Sequence, residues 1–306
     1  MAKSIAAGVT GHSNKIKTSL GEKVFTVFNY AFFTVLCLIM LYPFWHVFMQ
    51  SFSSTDAALR GGIFLYPKGF NLGTYESVFK NPQIYKGFGV SIFVTAVGSV
   101  MGTLVTAMTA YPLSKSRLRG SGIMMFLVLF TMIFNAGMIP NYLLIRNLGI
   151  YDTLAALILP LLVSAYNCII MKSFFLSISE SLEEAARIDG ANDFRIFFSI
   201  ILPLSKATIA TIMLYNAVMY WNDYFSTVLY ITNPDFWSLQ AVLRFMLTNT
   251  QQAMQQAGVN VRVQESANAV TIKAASIVVA TVPILLVYPF VQKHFVKGVM
   301  IGGVKG

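Results

Sequence analysis

Long apolar stretches alternate with shorter polar ones along this chain, and within each stretch the apolar residues are continuous rather than every second position. A run of about 20 apolar residues crosses the hydrocarbon core of a bilayer as a helix, whereas barrel strands alternate over about ten residues between turns. The pattern therefore predicts helices, six of them, at about 24–49, 87–111, 123–145, 153–175, 204–231 and 267–291. The first, VFTVFNYAFFTVLCLIMLYPFWHVFM, is too long for the core of a signal peptide and lacks a small-x-small cleavage site after it, so it is expected to stay in the mature protein. Within the third, Asn135, Gly137 and Pro140 predict a break or kink.

Two long connections are polar. Residues 51–86 carry FLYPKGFNLGTYESVF, in which Pro67, Gly69 and Gly73 punctuate any regular element, and residues 232–265 carry the Gln-rich NTQQAMQQAG. The expected organisation is an amino-terminal arm at 1–23, an all-α membrane domain of six transmembrane helices at 24–291 and a tail at 292–306.

Composition narrows the class. With 56% hydrophobic and 11% charged residues, a soluble domain would have too little polar surface. The formal charge of +10 does not point to nucleic acid, because the bases sit in short clusters beside apolar spans rather than along one polar face. With six spans, the arm bearing Lys15, Lys17 and Lys23, the cluster Lys115, Arg117 and Arg119, and the tail bearing Lys293 and Lys297 share one side, which places both termini in the cytoplasm. Lys68, Lys80, Lys86, Arg244 and Arg262 fall on the other side, in long loops that weigh less in such counting.

Cys37 and Cys168 lie inside apolar runs and are read as small buried apolar residues; His12, His46 and His294 have no ligand spacing. No disulfide framework and no metal site are predicted. Nothing resembles the G-x-x-x-x-G-K-[ST] loop that cradles nucleotide phosphates, and no nucleophile–base or carboxylate pair shares a plausible location. The chain is expected to perform no catalysis and to hold no cofactor of its own.

The stretch EEAARIDGANDFRIFFSIILPLSK, residues 183–206, departs from its surroundings. Ser181 and Glu184 have the spacing of a capping box, Ala185 and Ala186 are strong helix formers of little bulk, and Gly190 suits the left-handed position that ends a helix. A short helix with a flat face is predicted, with Glu183, Glu184, Arg187 and Asp189 offering charge-assisted contacts around it. An ordinary solvated loop helix explains the same local features. The longer spacing separates the two readings. Glu184-Ala185-Ala186, three residues, Gly190, nine residues, Ile200, one residue and Leu202-Pro203 match, position for position, the E-A-A-x3-G-x9-I-x-L-P loop of the membrane subunits of bacterial ATP-binding-cassette importers.

Among these, the chain resembles the sugar permeases: the smaller maltose-permease subunit and the LplC- or YtcP-like oligosaccharide permeases. The continuation Ile188-Asp189-Gly190-Ala191, the YWNDYF element at 220–225 and the terminal GGVKG carry that likeness, while Ser179 stands where many relatives have Pro. The resemblance implies a multi-pass permease in the bacterial cytoplasmic membrane, with a coupling loop at 177–203 whose helix, Glu184 to Gly190, sits in a cleft of an ATPase subunit. Glu184 would pair with a base of the ATPase, Ala185 and Ala186 would permit close approach, and Leu202-Pro203 would end the loop and start span five. It implies as partners a second homologous permease, two ATPase subunits that bind ATP and Mg, an extracytoplasmic binding protein and a sugar, with Gly302, Gly303, Val304, Lys305 and Gly306 reaching the ATPases. The loop at 248–264 would reach the binding protein.

Polar residues inside spans are the candidate substrate path, because a charge facing lipid costs at least about 2.5 kcal/mol. Asn216, Tyr220, Trp221, Asn222 and Asp223 offer rings that stack on sugars and groups that bind hydroxyls; the same residue types also anchor helices at the interface or bond one span to another. Asn135 and Asn167 are read as bonding between spans. A transporter driven by an ion gradient is the rival class, with Asp223 as its coupling group, and it leaves the 183–206 pattern unexplained.

Overall fold

The computed structural model describes residues 19–62, 65–256 and 270–286. Most of the amino-terminal arm and all of the tail, with its five-residue motif at 302–306, lie outside the described residues, as do the two ends expected for the sixth span and residues 257–264 of the loop expected to reach a binding protein. Helix α1 (Leu20–Ser51) opens on a capping box: the Ser19 hydroxyl accepts from the Glu22 amide and the Glu22 carboxylate accepts from the Ser19 amide. Its sequence is apolar on all sides and its side chains are almost entirely exposed, so among the described residues little of this chain covers it. Among the described residues its far end is tied inward, by Trp45 Nε1 donating to the Leu65 carbonyl at 2.9 Å and by the Ser51 hydroxyl at 2.8 Å from that of Tyr75.

Two short helices, α2 (Thr55–Arg60) and α3 (Gly73–Phe79), punctuate the following connection and lead into α4 (Pro82–Leu113), where Pro82 occupies the first turn, where its missing N–H costs nothing. The line Gly87, Ser91, Gly98, Gly102, Thr103, Thr106, Ala107 and Ala110 on α4 is buried, and small residues of this kind let helices approach closely within a membrane. A Cβ on Gly98 would lie 2.6 Å from the Tyr220 ring, and one on Gly102 would lie 3.1 Å from the Leu162 carbonyl oxygen. Helix α4 is thereby the hub of the molecule.

The expected break in the third apolar stretch falls where Asn135 and Gly137 stand. Helix α5 (Ser121–Ile133) ends, Asn135 Oδ1 accepts from the Gly137 amide, Gly137 takes φ +91°, and α6 (Met138–Asn147) leaves at 116°. The fourth stretch, expected to be continuous, is also broken. Helix α7 (Ala155–Ile158) and a tight turn at Leu159–Leu161 containing Pro160 meet α8 (Ala165–Leu176) at 52°, with Ser164 capping α8.

Helix α9 (Glu180–Ile188) follows, and then a rod made of α10 (Asp193–Ile196), one wide π turn at Phe197–Ile201 and α11 (Leu202–Leu204). At Ser205 the chain turns by 84° into α12 (Lys206–Asn222). The expected fifth span at 204–231 is therefore too long: α12 stops at Asn222, and Asp223 accepts from the Ser226 amide to start a separate helix, α13 (Phe225–Tyr230). The connection after it, expected to be a polar loop, is helical over α14 (Leu239–Gln256), whose start docks on α4 through the Leu239 amide and the Ser91 hydroxyl at 2.8 Å. Helix α15 (Val270–Leu286) closes the described chain and packs Ala275 and Val279 against Trp221, Leu239 and Val242.

Candidate functional site

Helix α9 begins two residues earlier than its capping spacing suggested. Ser179 is its N-cap, with the Ser179 hydroxyl 2.7 Å from that of Ser181, so the Ser181–Glu184 capping box does not form. Its end follows the expectation. Gly190 takes φ +79°, the Gly190 amide donates to the Arg187 carbonyl and the Ala191 amide reaches back to the Ala186 carbonyl, both at 2.9 Å, which closes the helix in a Schellman turn.

The two adjacent acids of this helix face opposite ways. Glu183 points inward and is 3% exposed; its carboxylate is ion-paired with Lys115, itself 7% exposed, and accepts from the Tyr111 hydroxyl at 3.2 Å. Glu184 and Ala185 are exposed, and Ala186 is half-buried against the cluster of Tyr111, Met171, Phe175, Ile196 and Phe197. Glu183 is therefore corrected from an outward contact to an internal one: a carboxylate needs a partner once buried, and Lys115 supplies it.

Around this pair the charges interlock. Arg187 lies 3.5 Å from Glu183 and 3.3 Å from Asp193, and Arg117 meets Asp193 at 2.6 Å. The Arg117 guanidinium holds the Asp193 carboxyl below the ordinary carboxylate range. Lys115 and Arg117, read from the sequence as markers of orientation, thus also fix the loop, and Lys115, Tyr111 and Asp193 are the members that sequence reasoning missed. The signal was present as charge complementarity between 115–119 and 183–193. A cleft of about 400 Å³ opens beside the cluster, between Met108, Tyr111, Leu118, Asp193 and Phe194.

The outward surface of the loop carries large apolar side chains among its polar ones. Ile188 is 87% exposed and Phe194 is 69% exposed, while Asp189 and Gly190 lie open between them. Beneath this surface the rod is packed into the bundle. Ile196, Phe197 and Ile201 are buried with Ile212 of α12, Pro203 stands in the first turn of α11, and Leu202 packs against the same core.

The residues read as a substrate path separate into two sets. Asn216, Tyr220 and Trp221 belong to the interior of this chain. Asn216 donates to Thr103 at 3.1 Å and accepts from Asn167 at 2.9 Å, Tyr220 donates to the Ile158 carbonyl at 2.9 Å, and Trp221 donates to the Ala280 carbonyl at 3.3 Å. They are corrected from lining residues to bonds between helices, because a polar group in a dry bundle is held wherever a partner span offers a matching one. Asn167 is such a partner, as expected. Asn222 is exposed and bonds its own helix at the Val218 carbonyl, and Asp223 is half-buried at the helix end. Asn135 bonds within its own turn instead of across spans. Cys168 is fully buried in the core, whereas Cys37 is exposed on α1.

A bundle of apolar helices that carries a braced helix with an open face at one end has the architecture of a membrane component. Residues 98–301 match the family described as binding-protein-dependent transport system inner membrane component, and the chain belongs to it. It is 44% identical, over 93% of its length and 99% of the relative's, to the polygalacturonan/rhamnogalacturonan transport system permease protein YtcP of Bacillus subtilis (strain 168). It is 43% identical to the protein LplC of the same organism, over 93% of this chain and 96% of that one. Among solved structures, a chain of a bacterial ABC transporter involved in the import of the acidic polysaccharide alginate is similar at a TM-score of 0.79 and 34% identity, covering 91% of this chain and 99% of that one.

Proposed function

We propose that this chain is one permease subunit of an ATP-binding-cassette importer for a sugar, an oligosaccharide in particular. It pairs with a second, homologous permease, and together they form a transmembrane path that opens alternately to the two sides. Two ATPase subunits bind ATP and Mg and supply the energy; an extracytoplasmic binding protein delivers the sugar. On this reading the six spans are α1, α4, the bent pairs α5–α6 and α7–α8, α12 and α15, with α9 and both termini on the cytoplasmic side, which the short basic clusters favour. The relatives named for polygalacturonan/rhamnogalacturonan and for alginate make fragments of those glycans the first substrates to assay.

The observation that carries this reading is the outward face of α9. Glu184, Ala185 and Ile188 are open on a helix whose other side is locked into the bundle, an arrangement suited to a partner that pushes. Ala185 allows close approach and Glu184 offers a charge to a basic residue of the ATPase. A carrier driven by an ion gradient would use Asp223 as its coupling group, yet that carboxylate starts α13 at the end of a span. The test is ATP hydrolysis by the assembled complex with and without loaded binding protein, wild type against Glu184→Lys. Loss of the stimulated rate in the variant is expected; normal coupling would overturn the assignment of α9.

A further inference from the structure

Two acids stand side by side on α9, and the outward one, Glu184, is the one the proposed function turns toward the ATPase. The inward one has an unusual position. Glu183 is buried 68 residues in sequence from its partner Lys115, which lies two residues past the end of α4. Removing two charges from water is costly, and a buried pair is retained only where good geometry and further hydrogen bonds offset that cost. Here the Tyr111 hydroxyl and the Arg187 guanidinium complete the set around Glu183, and the Lys115 ammonium also lies 4.9 Å from the centre of the Tyr111 ring.

The apolar contacts of α9 with the bundle are slight by comparison, since of its alanines Ala186 alone is packed against the core. Helix α4, on the other side of the pair, touches nearly everything else. Gly87 and Ser91 meet α14, Gly98 and Thr103 meet α12, and Ala107 and Ala110 pack with Cys168 and Met171 of α8.

We infer that Lys115 and Glu183 form the joint through which displacement of α9 is passed directly into α4, in parallel with the route through the rod into α12. Both are positioning residues: neither touches nucleotide or sugar. Arg187 and Asp193, with Arg117, hold the joint from the side, so α9 moves with the end of α4 and does not slide across it. The assignment rests on the importer reading, and it gives the adjacent acids opposite duties, Glu184 toward the ATPase and Glu183 toward the bundle.

The test uses the assembled importer in vesicles with its loaded binding protein. It compares wild type, Glu183→Gln, Lys115→Met and the swapped double variant Lys115→Glu/Glu183→Lys for retention of the ATPases, basal hydrolysis, stimulated hydrolysis and uptake. In both single variants the ATPases are expected to remain bound and basal hydrolysis to persist, while stimulated hydrolysis and uptake fall about tenfold, within the range usual for coupling between sites. The swap is expected to restore both. Single variants that assemble and are stimulated like wild type overturn the joint. So does a swap that assembles without restored stimulation, and so does failure of the singles and the swap alike to assemble, which would make the pair a requirement for folding. A wild-type chain that carries no ATPase through purification refutes the importer reading instead.

Discussion

Asn216 separates a substrate contact from a structural bond, and its replacement by Ala has a computable consequence. The side chain is 1% exposed and makes two bonds between helices, to Thr103 of α4 and from Asn167 of α8. Bonds of this kind are worth about 0.6 kcal/mol on average and about 1.7 at most within membranes. Asn216→Ala is therefore expected to lose between about 1 and 3 kcal/mol, two such bonds at the mean and at the limit. The fold supplies its own reporter. Cys168 follows Asn167 and is fully buried, whereas Cys37 is exposed, so in a Cys37→Ser background with cysteine-free partners the reaction of Cys168 with a thiol dye marks unfolding of the core. Thermal or detergent unfolding followed in this way should shift clearly for Asn216→Ala. It should move by less than about 0.5 kcal/mol for Asn222→Ala, whose side chain is exposed and bonds only its own helix. The reasoning is refuted if Asn216→Ala unfolds with wild type, and most clearly if it does so while uptake is lost, since that outcome returns the residue to the sugar path.

Two further outcomes follow from the loop. Gly190 has φ +79° with open space where a Cβ would stand, so Gly190→Ala should cost about 1–2 kcal/mol through backbone strain alone and Gly190→Asn less, measured as unfolding of the assembled complex; equal costs would refute the strain argument. Arg117 keeps the exposed Asp193 carboxyl ionised below its ordinary range, so its contribution is present above about pH 4 and fades as the pH falls through the depressed value. Asp193→Asn should thus be slightly less stable than wild type near neutrality, with unfolding curves that converge in acid; a difference that persists unchanged would remove Asp193 from the network.

What could be read from the residues was whatever depends on local chemistry. The apolar runs located α1 and α4, Asn135 and Gly137 located the turn before α6, and Gly190 located the end of α9, because hydropathy and left-handed backbone are properties of single short segments. The breaks in the fourth and fifth stretches were not legible as such, since Pro160 and Asp223 sit inside sequence apolar enough to read as continuous. Direction was the other loss. Nothing in Glu183-Glu184 tells which acid turns inward, because that depends on Lys115 arriving from another helix. The polar face sought for sugar proved to be interior at Asn216, Tyr220 and Trp221 for the same reason: partners such as Thr103 and Ile158 are distant in sequence.

The 84° elbow at Ser205 sets how a displacement changes character inside the molecule. Two limbs that stand nearly at right angles share almost no common direction, so a thrust along the first arrives at the second as a sideways swing. The corner is held locally by the buried Ser205, whose hydroxyl bonds back to the Ile201 carbonyl at 2.7 Å; on the importer reading a corner that folded up would absorb any thrust. On the proposed importer reading, a small axial advance of the rod would become lateral travel at the far end of α12, where Asn222 and Asp223 stand.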